Sequence, residues 1–131
     1  MSGTKAVLDS NTIIFATRGL IDVDEMLARY DEFYASIITY VEVYGFEFQN
    51  STEKDIADEI FANLQIVELD QTIADQAIHY RKNKIKKIKL PDAVILATAK
   101  YAGGELLTDD WDDFQNIDSS VVVKDLDDLR I

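Results

Sequence analysis

Cysteine is absent from this 131-residue sequence, and histidine and proline occur once each, as His79 and Pro91. Without cysteine neither a disulfide framework nor a thiolate metal site can form, and a lone histidine cannot build a zinc centre. The lack of thiols suits a reducing compartment. No apolar run approaches the roughly 20 residues that span a bilayer, and no basic segment followed by an apolar signal stretch opens the sequence. A soluble, cytoplasmic protein with no membrane partner is expected. Internal repeats, low-complexity segments and linkers are also missing. With 47% hydrophobic residues, the length suits one compact domain over 1–131.

Bases are few: 13 against 25 acids, for a formal charge of -12. That balance argues against holding nucleic acid by general attraction to phosphate. The distribution qualifies this, because six of the bases, Arg81, Lys82, Lys84, Lys86, Lys87 and Lys89, fall in one short stretch. Such a segment fits either a positive surface for a phosphate backbone or a solvated helix end.

Apolar periodicity gives the organisation. Lys5 to Asp9 reads as a strand running into a helix capped by Ser10 or Asn11, Asp22 to Tyr30 as a helix, and Phe33 to Ser36 as a strand. Ile37 to Phe48 is apolar on nearly every side and predicts a long buried helix. Ser51 or Thr52, with Asp55, is expected to cap the next helix, whose apolar stripe is Ile56, Ile60, Phe61 and Leu64. A strand over Gln65 to Leu69 then leads through Asp70 into a helix carrying Ile73, Ala77, Ile78 and Tyr80. Pro91 opens another helix, which Gly103 and Gly104 stop. Leu106 and Leu107 form a strand, Val121 to Val123 a last one, and Asp125, Asp127 and Asp128 read as a solvated tail. Strands separated by helices predict an α/β fold, a mainly parallel sheet of four to five strands with helices on both faces.

In such sheets ligands bind beyond the carboxyl ends of strands, where Asp9 and Asp110 fall. Asp9 alone is explained as a helix cap worth about 1 kcal/mol. Glu42 is the only charged side chain between Ile37 and Phe46, and a buried lone carboxylate needs a partner unless its helix edge reaches water. Asp92, next to Pro91, can be explained by the helix dipole, about 0.3 to 1 kcal/mol. Thr108-Asp109-Asp110 is weak as a bare pattern. Asp109 and Asp112 read as solvated, and chemistry alone does not separate Asp110 from Asp113.

Carboxylates without histidine or cysteine suit Mg²⁺ or Mn²⁺. Such ions stabilise charge on a phosphodiester and activate water for attack on phosphorus. Asp9, Glu42, Asp92 and Asp110 would be the metal ligands, one of them doubling as general base, with Ser10, Asn11 or Thr108 orienting them.

Several segments carry a resemblance: Val7-Leu8-Asp9-Ser10-Asn11, Thr39-Tyr40-Val41-Glu42-Val43, Lys89 through Ala99 with its Pro91-Asp92-Ala93 core, and Leu106-Leu107-Thr108-Asp109-Asp110 with Phe114 following. In this order they resemble the PIN-domain nucleases, and among them the VapC-type toxins of bacterial toxin-antitoxin pairs. The resemblance runs from about Lys5 to Val123. It implies a single PIN-like domain, an RNA substrate, a Mg²⁺ or Mn²⁺ requirement, homodimerisation, and a cognate antitoxin that covers the active site. It also implies that Asp9, Glu42, Asp92 and Asp110 are the acidic metal-binding set, with Thr108 the hydroxyl beside it. Asp113 matches a position that is frequently acidic, and its role stays open. The basic stretch from Arg81 to Lys89 would carry the RNA backbone.

Two other readings compete. A phosphatase of the haloacid dehalogenase type also begins with an Asp at the first strand end, but Asn11 stands where its second acid belongs, leaving the nucleophile without its general acid. A PIN-like module that binds RNA or protein without cutting is the second, and the presence of all four acids counts against it.

Overall fold

The computed structural model describes residues 4–131; residues 1–3 of the expected domain lie outside it. Strand β1 (Lys5–Leu8) runs into helix α1 (Ser10–Thr17), then α2 (Val23–Arg29), β2 (Glu32–Ser36), α3 (Ile37–Tyr44), α4 (Ser51–Ala62) and β3 (Gln65–Val67). After them come α5 (Gln71–Arg81), α6 (Leu90–Ala102), β4 (Glu105–Leu107), α7 (Trp111–Phe114), β5 (Val123–Lys124) and a 3₁₀ turn over Asp127–Leu129. The strands form one sheet in the order β3-β2-β1-β4-β5, every pair parallel. The α/β architecture expected from the apolar pattern is the one observed.

Alternation along β1 divides the core. Val7 joins Leu106, Phe114 and the buried faces of α5 and α6 on one side of the sheet. Ala6 and Leu8 join Leu107, Ile13, Met26, Ile60 and other residues of α1, α2 and α4 on the opposite side. A parallel sheet covered on both faces has strands apolar throughout, which is why Ala6-Val7-Leu8 shows no polar position. Helix α6 is buried from Ala93 to Ala99 without interruption. It ends where Gly103 adopts φ +71, a left-handed cap that a side chain would strain.

Several expectations need correction. Helix α3 stops at Tyr44 rather than reaching Phe48, and only Thr39 and Val43 along it are buried. Val41 is 61% exposed, so an apolar sequence here does not mean a surrounded helix. The cap of α4 is Asn50, whose side chain accepts from Glu53 N, while Glu53 reaches back to Gln49 N at 2.7 Å. Ser51, Thr52 and Asp55 take no part in that cap because the box begins one residue earlier. Ile78 is half exposed on the outer side of α5. Strand β3 ends at Val67, and β5 is Val123–Lys124 rather than Val121–Val123. Helix α7 has no counterpart in the apolar pattern, since one turn is too short to show a period. In the tail, Asp125, Asp127 and Asp128 are exposed as expected, but Leu126 and Leu129 between them are buried in the core.

Candidate active site

The sheet brings the site together by register. Leu8 of β1 pairs with Leu107 of β4, so the residues that follow them, Asp9 and Thr108, emerge side by side at the carboxyl end of the sheet. Asp9 N donates to Leu107 O at 3.1 Å, and Thr12 Oγ1 donates to the same carbonyl at 2.9 Å, fastening the start of α1 to the end of β4. Thr12 carries no signal in the sequence; a threonine three residues after a cap looks like any helix residue.

Asp9 is the cap of α1 and is buried. Its Oδ1 accepts from Ser10 N and its Oδ2 from the Thr108 hydroxyl, each at 2.7 Å. The Thr108 oxygen also accepts from Asp110 N at 2.9 Å, so one buried hydroxyl relates two of the acids. Burial pushes the Asp9 carboxyl up to about 7; Asp92 and Asp110 add to the rise, and the bonds from Thr108 and Ser10 oppose it.

The first turn of α1 reaches the next two acids. Ser10 Oγ donates to Glu42 Oε1 at 2.5 Å, and Asn11 Nδ2 donates to Asp110 Oδ2 at 3.1 Å. The expectation that Glu42 is a lone buried carboxylate is corrected: the residue is exposed, because its helix edge does reach water. What singles it out is the bond to Ser10. Asp92 stands in the first turn of α6, half-buried, and is pushed up to about 6, first by burial and then by Asp113, Asp110 and Glu42, against Lys89. Asp113, exposed on α7, is therefore near enough for its charge to act on Asp92.

Asp9, Glu42, Asp92, Asp110 and Asp113 have no ion-pair partner among the described residues. Asp109 does: it pairs with Arg130 of the tail and is not simply solvated, contrary to the expectation. Among the described residues no three carboxylates already form a closed metal cage. The donors are nonetheless all oxygen, and the neighbouring acids make Asp9 and Asp92 harder to ionise, with only Lys89 opposing at Asp92. That set suits a hard divalent cation.

The six bases do not act as one group. Arg81 donates to Ile88 O at 2.8 Å, and Lys86 Nζ donates to Gln115 O at 2.8 Å and to Asp112 O, so both fasten the loop after α5. Lys82, Lys84, Lys87 and Lys89 are exposed, and Lys89 stands at the N-terminal boundary of α6 without a side-chain cap bond, its charge acting on Asp92.

A family model for the PIN domain matches residues 6–120, the span containing every residue named at the site so far except Arg130. This chain belongs to the PIN domain family. Solved structures agree with a PIN domain. A toxin-antitoxin complex from Klebsiella pneumoniae contains a chain 30% identical, with 89% of this chain and 95% of that one covered and a TM-score of 0.73. VapBC2 from Rickettsia felis, bound to a DNA fragment from its promoter, is 19% identical over 93% of this chain and 98% of that one, TM-score 0.76. DNA-bound VapBC from Salmonella typhimurium is 21% identical over 94% and 98%, TM-score 0.75. At those last identities the likeness is one of fold. Comparison with curated protein sequences gives no match. No helix among the described residues of the PIN domain is long and apolar enough to cross a membrane.

Proposed function

We propose that this PIN domain is a Mg²⁺- or Mn²⁺-dependent endoribonuclease, the toxin of a toxin-antitoxin pair. The observation that carries the reading is the buried tie of Asp9, Thr108 and Asp110, flanked by Glu42 and Asp92 and without an ion-pair partner among the described residues. A bound cation would offset the burial, and with it the repulsion between acids, that raises Asp9 and Asp92, and Asp9, Glu42, Asp92 and Asp110 would hold it. Its chemistry would be to stabilise charge on the phosphodiester and lower the pKa of water. Ser10, Asn11 and Thr108 fix three of the carboxylates, so that less side-chain freedom is lost on loading the ion. Asp113 is the candidate fifth acid.

The RNA backbone would follow the exposed bases Lys82, Lys84, Lys87 and Lys89. The Klebsiella pneumoniae relative, solved as a toxin-antitoxin complex, supports an antitoxin partner here too. An antitoxin that inserts a basic side chain among the acids would neutralise them as a cation does. A homodimer and a cytoplasmic location belong to the same reading. The chain as one domain over 1–131 does too.

The test is to incubate the purified protein with total RNA in EDTA, Mg²⁺ or Mn²⁺, alongside the Asp9→Asn, Asp92→Asn double variant, and to map new RNA ends. Discrete cleavage that needs the metal and is absent from the variant is expected. The alternative, a PIN module that binds without cutting, is favoured by one observation: among the described residues no three carboxylates stand as a ready-made cage. It predicts no cleavage and no measurable Mn²⁺ binding.

A further inference from the structure

Trp111 is the only tryptophan in the chain, directly follows Asp110, and is 39% exposed. An exposed tryptophan beside a cluster of acids needs a reason, since its indole is a large apolar surface left in water. It is not a loose side chain. Its Nε1 donates to Val123 O of the edge strand β5 at 3.0 Å, which pins one edge of the ring. It lines an open cavity of about 520 Å³ whose other walls include Gln115, Asn116, Ser119, Val121 and Val123.

The chemistry of that cavity is specific. It offers an aromatic surface, three aliphatic side chains, a hydroxyl and two side-chain amides, of which Gln115 donates one hydrogen to Asp112 Oδ1 at 3.1 Å and keeps its oxygen and second hydrogen. A planar heteroaromatic base with donors and acceptors on its edge matches this set: the ring stacks, and amides and hydroxyls read the edge. Asp118, on the same wall, is already held by Lys100 at 3.1 Å and by the Tyr80 and Ser120 hydroxyls, so its charge is locally balanced. Lys86 bonds to the backbone of Asp112 and Gln115, which brings the basic loop against α7. Asp110 is the N-cap of α7 and Trp111 its first residue, so the acid and the indole leave the same turn of chain.

We infer that this cavity is a nucleobase subsite, in which Trp111 stacks on an unpaired base of single-stranded RNA next to the phosphate presented to the carboxylates, with Gln115 and Asn116 reading its edge. The inference rests on the nuclease reading for the phosphate's position, but base binding can be measured separately.

Because Trp111 is the sole tryptophan, its fluorescence reports the subsite directly. The full chain is titrated with a mixed-sequence single-stranded RNA oligonucleotide and with a ribose-phosphate oligomer of equal length lacking bases, in EDTA and in Mg²⁺, read before cleavage accumulates. Quenching by the base-bearing oligomer alone is expected. Trp111→Ala should weaken RNA binding by about 5- to 150-fold, the range for loss of one stacked base, while Trp111→Phe retains most of the affinity. Gln115→Ala should change which base is preferred.

No base-dependent quenching, or Trp111→Ala cutting the same RNA at the same positions with unchanged KM, overturns the subsite. If Trp111→Ala does not fold, the wild-type titration and Trp111→Phe still decide. Base-dependent quenching without cleavage would sink the nuclease reading and leave the subsite standing; cleavage without quenching would do the reverse.

Discussion

Thr108 donates its hydroxyl proton to Asp9 at 2.7 Å across 99 residues of sequence, and the same oxygen accepts from Asp110 N. One buried side chain thus sets the distance between two strand ends that both carry acids. Thr108→Val keeps the shape and removes both bonds. It should lower stability by about 1–3 kcal/mol, because a buried carboxyl and an amide lose their partners. Mn²⁺ affinity should fall about 10- to 100-fold. Thermal melting and titration calorimetry measure the two effects, and a variant that melts and binds like the wild type would remove Thr108 from the site.

The pH dependence of the metal-free protein follows from Asp9. Its folded-state pKa of about 7 lies above its ordinary value of 3.8, so the folded protein holds a proton that the unfolded chain has released. That contribution is fully present below pH 3.8 and is lost as pH rises through about 7. Asp92, raised to about 6, acts in the same direction. In EDTA, the melting temperature should fall between pH 5 and 8 by less in Asp9→Asn than in the wild type. Added Mg²⁺ should raise it most at the alkaline end, with proton release. A wild-type stability that climbs over this interval in EDTA would contradict the burial assigned to Asp9.

Glu42 separates chemistry from stability. The residue is exposed and its one side-chain hydrogen bond among the described residues comes from Ser10, so Glu42→Gln should leave stability within about 0.5 kcal/mol. Cleavage should fall by more than about 100-fold, beyond the loss typical of a supporting hydrogen bond. Equal loss of melting temperature and activity would mean that the residue works only by holding the fold.

The bases divide into two classes. Lys84→Ala, Lys87→Ala should weaken RNA binding and shallow its salt dependence, by about 0.7 in the log-log slope for each phosphate that is no longer neutralised. Its melting temperature should not move. Lys86→Ala should lower the melting temperature, because Lys86 joins the loop to α7. If all three substitutions behaved alike, the division would be wrong.

The carboxyl-terminal segment belongs to the fold. Leu126→Ala removes a fully buried side chain and should cost about 2–5 kcal/mol, read by urea denaturation.

Much of this is legible in the residues, and the reasons differ by element. The continuous apolar runs at Val7-Leu8 and Ala93–Ala99 announce themselves because core surrounds them on every side, and the acids that break them, Asp9 and Asp92, stand out for the same reason. Glu42 stands out for a cause that does not hold: its helix has an open edge, and nothing in the pattern of Ile37–Tyr44 says which side the sheet leaves uncovered. The split between Lys86 and Lys87 is a matter of where the loop folds back on α7, a bond to a carbonyl 26 residues away that no local pattern encodes. Asp109 reads as a solvated acid because its partner, Arg130, is 21 positions away.

The sheet order also has a consequence in time. β1 sits at the centre of the sheet, yet one of its two neighbours, β4, is made almost last. The tie between Asp9 and Thr108 spans 99 residues, which a ribosome adds in about 5–20 s at ordinary rates. During that interval a growing chain holds Asp9, Glu42 and then Asp92 without the strand end that completes the set. A terminated fragment that stops before Glu105 is in the same condition permanently. Synthesis itself therefore imposes a delay between making the first acid and assembling the last.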